Sequence, residues 1–413
     1  MKILLSAYAC EPNMGSEPGV GWQWAQALRR RGFEVHVITR SNNRKSIERA
    51  YNGLDELLTF HYFDLPGWLR FWKKWPGGIY LYYLLWQIGA YRLAKGLHST
   101  ERFNCVQHIT FVSYRQPSFM GSLGIPFIFG PVGGGESMPE QFRRSLPMSA
   151  RLSEATRSAG NALVRFDPLM RRTFAQARTI VCATEETRMA IPLRFRDKCV
   201  VQRAIGIDDE NLQSTDGFSP ASKPRFLFVG RLLYWKGLQL LLRALAIVKE
   251  KIPDVSLRVI GEGSERAWLE QVAQVARVSN LVQWIPRKPH DEIRKEYRDS
   301  TGFVFPSLHD SGGMVVLEAL GAGLPVVCLD IGGPGSIVTS ESGFSLSVRG
   351  QSEAEVVQQI AAAMVRLVRD GELRRRLSKG AVRRAMDLSW DAAAEGVYGP
   401  RSGAASIGNS AQG

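Results

Sequence analysis

Residues 306–327 read PSLHDSGGMVVLEALGAGLPVV, and this stretch decides the fold. It runs from the end of an apolar strand through a Gly-rich loop into an apolar helix, and then into a second strand. A helical crossover is the usual way to join two parallel strands of one sheet. The stretch is therefore predicted to be one βα unit of a doubly wound α/β sheet.

The same alternation of strands and helices continues on both sides. In the second half, strands are predicted at 225–229, 255–260, 281–285, 302–305 and 325–329. In the first half, they are predicted at 3–7, 34–39, before His108, within 125–135 and within 177–184. A chain of 413 residues is too long for one core, so two Rossmann-like domains are expected.

The predicted domain boundaries follow the loss of periodicity near 200–222. They are an N-terminal domain 1–203 with an aromatic and basic insertion near 62–92, a C-terminal domain 204–386, a segment 387–399 that crosses back to the N-terminal domain, and a tail 400–413 with too few apolar residues to pack.

The net charge of +14 is uneven along the chain. Residues 1–215 carry 28 Lys and Arg against 18 Asp and Glu, and the remainder carries 25 against 21. The first half is therefore expected to meet nucleic acid, an acidic leaflet or a phosphorylated substrate. The five cysteines form no CxxC pair, and the N-terminus resembles a first strand more than a secretory signal, so a reducing, cytoplasmic location is predicted.

An uncharged aromatic run, WPGGIYLYYLLWQIGAY, covers residues 75–91. Its helical part is shorter than the roughly 20 residues that span a bilayer. Lys, Arg and Trp side chains alternate just before it, as in segments that lie in a membrane interface. Two interpretations remain open: a peripheral contact with the inner face of the membrane, or an aromatic helix of the domain core.

The sequence GRLLYWKG, residues 230–237, lies where a strand ends and a helix begins. Arg231 and Lys236 therefore lie near the positive end of that helix. Two cations beside a helix N-terminus form an anion site, and a diphosphate would fit it.

Two carboxylates follow at an eight-residue interval, Asp310 and Glu318. Glu318 falls inside an apolar helical run, where a carboxylate needs a partner. Small residues three and four positions later leave room for a ligand with hydroxyl groups. The loop after Asp310 contains Gly312 and Gly313, whose backbone N–H groups could approach phosphate or sugar.

Together, these residues resemble family 4 of the retaining glycosyltransferases. The order of "GR…KG", "GEG" at 261–263, "PS" at 306–307 and the two acids carries the resemblance, which is strongest over 225–345 and looser over 1–200. The resemblance implies a GT-B fold, in which two Rossmann-like domains face each other across a cleft. It also implies a nucleoside-diphosphate sugar as co-substrate, with no cofactor.

The resemblance assigns roles to particular positions in the second half. It places Arg231 and Lys236 on the donor diphosphate and Glu318 on the nucleotide ribose. It brings the backbone of Met314 and Val315 close to the donor.

Asp310 matches an acid that contacts the transferred sugar, and His108 matches a histidine at the reacting sugar. Gly21, in the loop GSEPGVGWQWA, matches a glycine that lets the backbone approach the donor. Glu136, after another glycine loop, is a candidate base for the acceptor.

Three positions depart from the family pattern: Asp310 replaces a more common Glu, Gly312 replaces a loop aromatic, and Ser336 replaces a Glu. They leave the choice of donor open. The six histidines are scattered and no DxD-type pair appears, so no metal is expected.

The sequence thus predicts a retaining hexosyltransferase acting on a lipid-linked or polysaccharide precursor in bacterial surface glycan synthesis. Alternative predictions are another enzyme on this architecture, such as a nucleotide-sugar epimerase or a glycogen phosphorylase relative, or a catalytically silent sugar-nucleotide-binding or membrane-scaffold protein. A nucleic-acid partner is not expected, because the positive charge forms no recognised binding motif.

Overall fold

The computed structural model of the chain describes residues 1–51, 56–69, 78–111, 113–208, 212 and 223–399. These residues form two α/β units. The first unit contains Met1–Gly135, Ala159–Ile205 and the residues from Trp390 onward, and the second contains Glu136–Ser158 and Gly206–Ser389.

The first unit is built on a parallel sheet. Its described strands are β1 (Lys2–Ser6), β2 (Glu34–Arg40), β3 (Leu58–Phe63), β4 (Cys105–His108), β5 (Phe127–Val132), β6 (Thr179–Cys182) and β7 (Cys199–Val201). They lie in the order β3-β2-β1-β4-β5-β6-β7. The helices are α1 (Ser16–Arg30), α2 (Arg44–Ala50), α3 (Gly78–Glu101), α5 (Pro168–Gln176) and α6 (Glu185–Ala190), together with the end of α4 (Met148–Leu163), whose residues up to Ser158 belong to the second unit.

The aromatic helix α3 belongs to the core of this unit. Its Tyr82, Tyr83 and Trp86 are fully buried among the side chains that cover the sheet. These three aromatic residues of the 75–91 run are therefore core residues, whereas Tyr80 and Leu81 are 52% and 44% exposed, and residues 70–77 lie outside the described residues. Among the helices that the structure describes, none is both long and apolar enough to cross a bilayer.

The second unit repeats the same design. Its described strands are β8 (Arg225–Val229), β9 (Ser256–Ile260), β10 (Val282–Ile285), β11 (Gly302–Phe305), β12 (Val326–Leu329) and β13 (Gly343–Leu346), in the order β10-β9-β8-β11-β12-β13. Its helices are α7 (Leu238–Lys251), α8 (Arg266–Val275), α9 (His290–Arg298), α10 (Met314–Gly321), α11 (Gly332–Ile337), α12 (Glu353–Arg369) and α13 (Gly371–Met386).

Every strand predicted in the second half is confirmed to within one residue. The leucine stripe of α7 is buried, as its 3.6-residue period requires. Both sheets are parallel, and in each the first strand along the chain lies inside the sheet, with later strands on both sides of it. The prediction of two Rossmann-like domains is therefore confirmed. Three described strands were not predicted from the sequence: β3, β7 and β13.

The largest difference between the units and the predicted boundaries concerns residues 136–158. They were predicted to belong to the first domain, but the structure groups them with the second unit. The reason is polar contact, because Glu136 accepts a hydrogen bond from Ser311 and Glu154 accepts one from Tyr234.

The last described helix, α14 (Trp390–Tyr398), groups with the first unit. Arg30 pairs with Asp391 at 3.0 Å, and the Tyr398 hydroxyl donates to Gln107 Oε1 at 2.6 Å. Residues 387–399 were expected to cross back to this domain. The predicted tail 400–413 lies outside the described residues.

Candidate functional site

Two loops of the second unit leave the carboxyl ends of the neighbouring strands β8 and β11 and touch each other. Gly237 ends the first loop with a φ of +73°, and a Cβ at this position would overlap the carbonyl oxygen of Pro306 in the second loop. Leu308 N and Ser307 Oγ both donate to the carbonyl oxygen of Trp235, at 2.8 and 3.1 Å. The chain can bring these loops together because glycine occupies position 237.

Lys236 and Asp310, one on each loop, form an ion pair. Their side chains are 19% and 16% exposed. The other oxygen of Asp310, Oδ1, accepts hydrogen bonds from the backbone N–H groups of Gly312 and Gly313 at 3.1 and 3.2 Å. Burial acts to raise the pKa of Asp310, but the charge of Lys236 and these hydrogen bonds outweigh it and hold that pKa below its usual range.

The structure thus brings together two of the predicted site residues. The Lys236 ammonium also lies 5.2 Å from the centre of the Phe305 ring, so it is oriented by a carboxylate and an aromatic face. Arg231, at the start of the same loop, is exposed to solvent. An anion that bound Lys236 at this edge of the sheet would compete with Asp310.

Glu318 lies on α10, whose N-terminus is capped by Gly313 at a φ of +76°. Its Oε2 accepts a hydrogen bond from the Tyr297 hydroxyl at 3.2 Å, and its Oε1 lies 3.2 Å from His290 Nε2. The sequence argument that this carboxylate needs a partner is borne out by these two groups of α9. The same hydroxyl also lies 3.3 Å from the carbonyl oxygen of Val315, so Tyr297 links α9 to the first turn of α10.

Residues 136–158 bring two further carboxylates to these loops, each in a side chain that is 1% exposed. Glu136 Oε2 accepts from Ser311 Oγ at 2.7 Å, one residue after Asp310. Glu154 Oε1 accepts from the Tyr234 hydroxyl at 3.0 Å and lies 2.9 Å from His309 Nε2. These contacts hold both loops from the side of residues 136–158.

Glu154 and His309 form a buried pair in which both pKa values are lowered. Burial acts to raise the pKa of Glu154, but the hydrogen bond and charge of His309, the charge of Arg157 and the Tyr234 hydroxyl outweigh it, so the pKa is lowered. Burial lowers the pKa of His309 by more than Glu154 raises it. The His309 ring is also stacked on Trp235, with 5.4 Å between the ring centres.

Glu136 was predicted only as a base for the acceptor. Glu154, His309 and Tyr297 were not predicted from the sequence as site residues. Glu154 lies in SEATRSAGN, a stretch with no glycine loop and no apolar run to mark it. His309 directly precedes Asp310, and that adjacency was the available signal.

The two candidate residues of the first unit lie at the carboxyl end of its sheet. His108 ends β4 and is 2% exposed, and its Nε2 lies 3.0 Å from the Tyr83 hydroxyl. Burial lowers the pKa of His108 to about 4, so the imidazole is neutral at physiological pH. Gly21, in α1, packs so closely on the carbonyl oxygen of Ala9 that a Cβ would overlap it, and Thr110 lies beside it. Close packing of α1 is reason enough for a glycine at this position.

One group of side chains in the described residues has the donor set of a metal site: Glu34, His36 and Glu101, in the first unit. Glu34 and His36 lie at the amino end of β2, opposite the strand ends that carry His108. The Lys2 ammonium lies 2.7 Å from Glu34 and 2.8 Å from Glu101, so it already balances the carboxylate charge. Because Lys2 already balances the charge of both carboxylates, little negative charge is left to attract a metal cation.

Most of the second unit matches a known protein family. Residues 209–384 match the family described as glycosyl transferases, group 1. The matched region contains both loops, the Lys236 and Asp310 pair, and Glu318.

A curated relative supports the same relationship. The chain is 34% identical over 182 residues to D-inositol 3-phosphate glycosyltransferase of Corynebacterium diphtheriae, over 42% of this chain and 41% of that protein. The chain thus matches about two fifths of the length of this relative.

Two solved structures resemble the whole fold at low identity. Sucrose-phosphate synthase from Thermosynechococcus elongatus has a TM-score of 0.59 and 18% identity over 95% of this chain and 96% of that one. HepE of Anabaena, in complex with UDP-glucose, has a TM-score of 0.59 and 15% identity over 96% and 97%. At these identities the likeness shows the fold alone.

Proposed function

We propose that the chain is a retaining glycosyltransferase that moves a hexosyl unit from a nucleoside-diphosphate sugar to an acceptor hydroxyl. The observation that carries the proposal is the Lys236 and Asp310 pair. It lies at the carboxyl ends of two neighbouring parallel strands, inside the region that matches the group 1 family. This end of a doubly wound sheet is where such folds bind ligands. The complex of HepE with UDP-glucose supports a sugar nucleotide as the donor.

In this proposal the second unit holds the donor. Arg231 and Lys236 bind the diphosphate and stabilise the charge that develops on it as it leaves, which makes a metal unnecessary. The N–H groups at the start of α10, Met314 and Val315, approach the same phosphates. Glu318, oriented by Tyr297, accepts hydrogen bonds from the ribose hydroxyls.

Asp310 has a second task besides contact with the transferred sugar. Its carboxylate pairs with Lys236 and so balances the charge of the ammonium at the strand edge. When a diphosphate takes over Lys236, the carboxylate is released to accept a hydrogen bond from a sugar hydroxyl. Because that exchange swaps one anion for another, Lys236 is never left without a counter-charge.

His108 of the first unit acts on the reacting sugar as a neutral group. Its low pKa means that it offers a hydrogen bond rather than a positive charge. The proposed acceptor is a lipid-linked or polysaccharide precursor of a bacterial surface glycan. The excess of Lys and Arg in residues 1–215 favours an acceptor that carries negative charge.

The experiment begins with a thermal-shift screen of UDP-, GDP- and ADP-sugars, because a ligand bound only to the native state raises its melting temperature. The sugar nucleotide that binds is then used to measure the release of nucleoside diphosphate, without and with acceptor glycans. The anomeric configuration of the product, read by NMR, tests retention.

Lys236→Ala is expected to abolish release of the diphosphate, whereas Lys251→Ala, an exposed lysine at the far end of α7, leaves it unchanged. A fully active Lys236→Ala variant would remove the diphosphate assignment. Tight binding of a sugar nucleotide without turnover on any acceptor would favour a silent binding protein instead.

A further inference from the structure

A surface of the first unit exposes large apolar side chains. They come from two stretches, the end of α4 with the start of α5, and the end of α6 with the turn that follows it. They are Leu163, Phe166, Leu169, Met189 and Leu193. Phe166 is 63% exposed and Leu193 is 77% exposed, so neither packs into the core.

The two stretches are neighbours in space. An open groove of about 380 Å³ runs between them. Asn161, Ala162 and Arg165 line one side of it, and Ala190, Leu193 and Arg196 line the other. Leu193 lines this groove, and Leu163, Phe166 and Met189 each lie one position away from a residue that lines it, so the two stretches with their exposed apolar residues are here called the 163–193 face.

Arginine side chains stand between the apolar ones. Arg165 and Arg194 are both exposed, and within the described residues neither forms an ion pair. The guanidinium carbon of Arg165 lies 4.7 Å from the centre of the Phe166 ring, and that of Arg194 lies 4.5 Å from the centre of the Phe195 ring. Residues 159–205 carry nine Lys and Arg against four Asp and Glu. The face is therefore both apolar and positively charged.

We infer that the 163–193 face docks on the headgroup region of an anionic membrane leaflet. The apolar side chains project singly from helix ends and turns, with arginines between them. Such side chains can enter the acyl boundary while the guanidinium groups bind lipid phosphates. The negative surface potential of an anionic leaflet complements the charge of the face.

This assignment moves the predicted membrane contact to a different part of the chain. The predicted contact lay within residues 62–92, but Tyr82, Tyr83 and Trp86 of α3 pack in the core. The 163–193 face lies on α4, α5 and α6 instead. The inference does not depend on the proposed transferase activity, because vesicle binding is measured without substrate.

The test is co-sedimentation of the purified full chain with vesicles of phosphatidylcholine alone, and with vesicles in which about one third of the lipid is phosphatidylglycerol. Wild-type protein is expected to sediment with the anionic vesicles, and more weakly as salt is raised. Phe166→Ser with Leu193→Ser is expected to reduce the partition coefficient at least about tenfold. Arg165→Gln with Arg194→Gln is expected to lose roughly fivefold per arginine on anionic vesicles only.

The matched control is Val275→Ser with Met386→Ser, which removes exposed apolar side chains of the second unit and is expected to leave binding unchanged. Thermal melting of each variant checks its fold. The inference is overturned if the wild-type protein does not sediment with anionic vesicles. It is equally overturned if the variant with Phe166→Ser and Leu193→Ser binds them as tightly as wild type does. It is also overturned if that variant only converts a dimer to a monomer, because the face would then join two copies of the chain.

Discussion

The Lys236 and Asp310 pair makes a quantitative prediction about stability. Replacing Lys236 with Ala leaves the Asp310 carboxylate with only the two backbone donors of Gly312 and Gly313. Breaking a fully buried pair costs about 3–5 kcal/mol, and breaking an exposed one about 0–1 kcal/mol. Because the two side chains are 19% and 16% exposed, we expect the free energy of unfolding to fall by about 2 kcal/mol.

A double-mutant cycle separates the pair itself from the other effects of each change. Asp310→Asn keeps the shape of the side chain and an oxygen for the two backbone donors, so it is expected to cost about 1 kcal/mol. The double variant should cost less than the two single variants together, by about 1–2 kcal/mol. Urea denaturation of the four proteins measures this coupling energy. Lys251→Ala combined with Asp310→Asn is the control, and these two changes should be additive.

The same pair fixes the sign of a pH dependence. The folded-state pKa of Asp310 is lowered, so the stability that the pair contributes is present above about pH 4 and is lost as the pH falls through that folded pKa. The difference in stability between wild type and Lys236→Ala should therefore be largest at neutral pH and shrink in acid. A coupling energy below about 0.3 kcal/mol, or a difference independent of pH, would refute the reasoning.

Three other changes test the contacts around this pair. Gly237→Ala should lower the free energy of unfolding, measured in urea, by about 3 kcal/mol or more, because its Cβ would meet the backbone of Pro306. Gly350→Ala is the control and should lower it by only about 1 kcal/mol, because Gly350 also has a positive φ but has open space around it. Glu154→Gln should lower the free energy of unfolding by about 1–3 kcal/mol at pH 7. This difference from wild type should shrink as the pH falls through the lowered pKa of Glu154. Equal differences at pH 7 and in acid would contradict the prediction. Tyr297→Phe leaves one oxygen of Glu318 without its donor and should weaken sugar-nucleotide binding about three- to tenfold by calorimetry; an unchanged Kd would remove Glu318 from the binding site.

The sequence was a good guide wherever one local pattern determines the structure. The strands of the second half alternate regularly with helices, and each predicted strand formed within one residue of its expected ends. Strand β3, LTFHYF, was not predicted although its apolar and polar side chains alternate from Leu58 to Tyr62. Strand β7 has only three residues, too few to show a period.

The candidate site was predictable only in part. Lys236 and Asp310 were identified from glycine loops at strand ends, but their mutual ion pair depends on how β8 and β11 lie side by side. Glu154 comes from a helix 155 positions before His309, and no local signal joins the two. Tyr297 was missed for the same reason, because a contact between two helices carries no fixed spacing in the chain.

The grouping of residues 136–158 with the second unit has a consequence for folding during synthesis. The chain passes between the two units four times, after residues 135, 158, 205 and 389. Glu154 leaves the ribosome 155 residues before His309, which at roughly 5–20 residues per second is a delay of about 8–30 s. Throughout that interval the partners of the amphipathic helix α4 in the second unit have not yet been made, and neither has α14 of the first unit. Neither unit can finish folding before the other has been largely made, so the two should mature together rather than in the N-to-C order that separate domains follow.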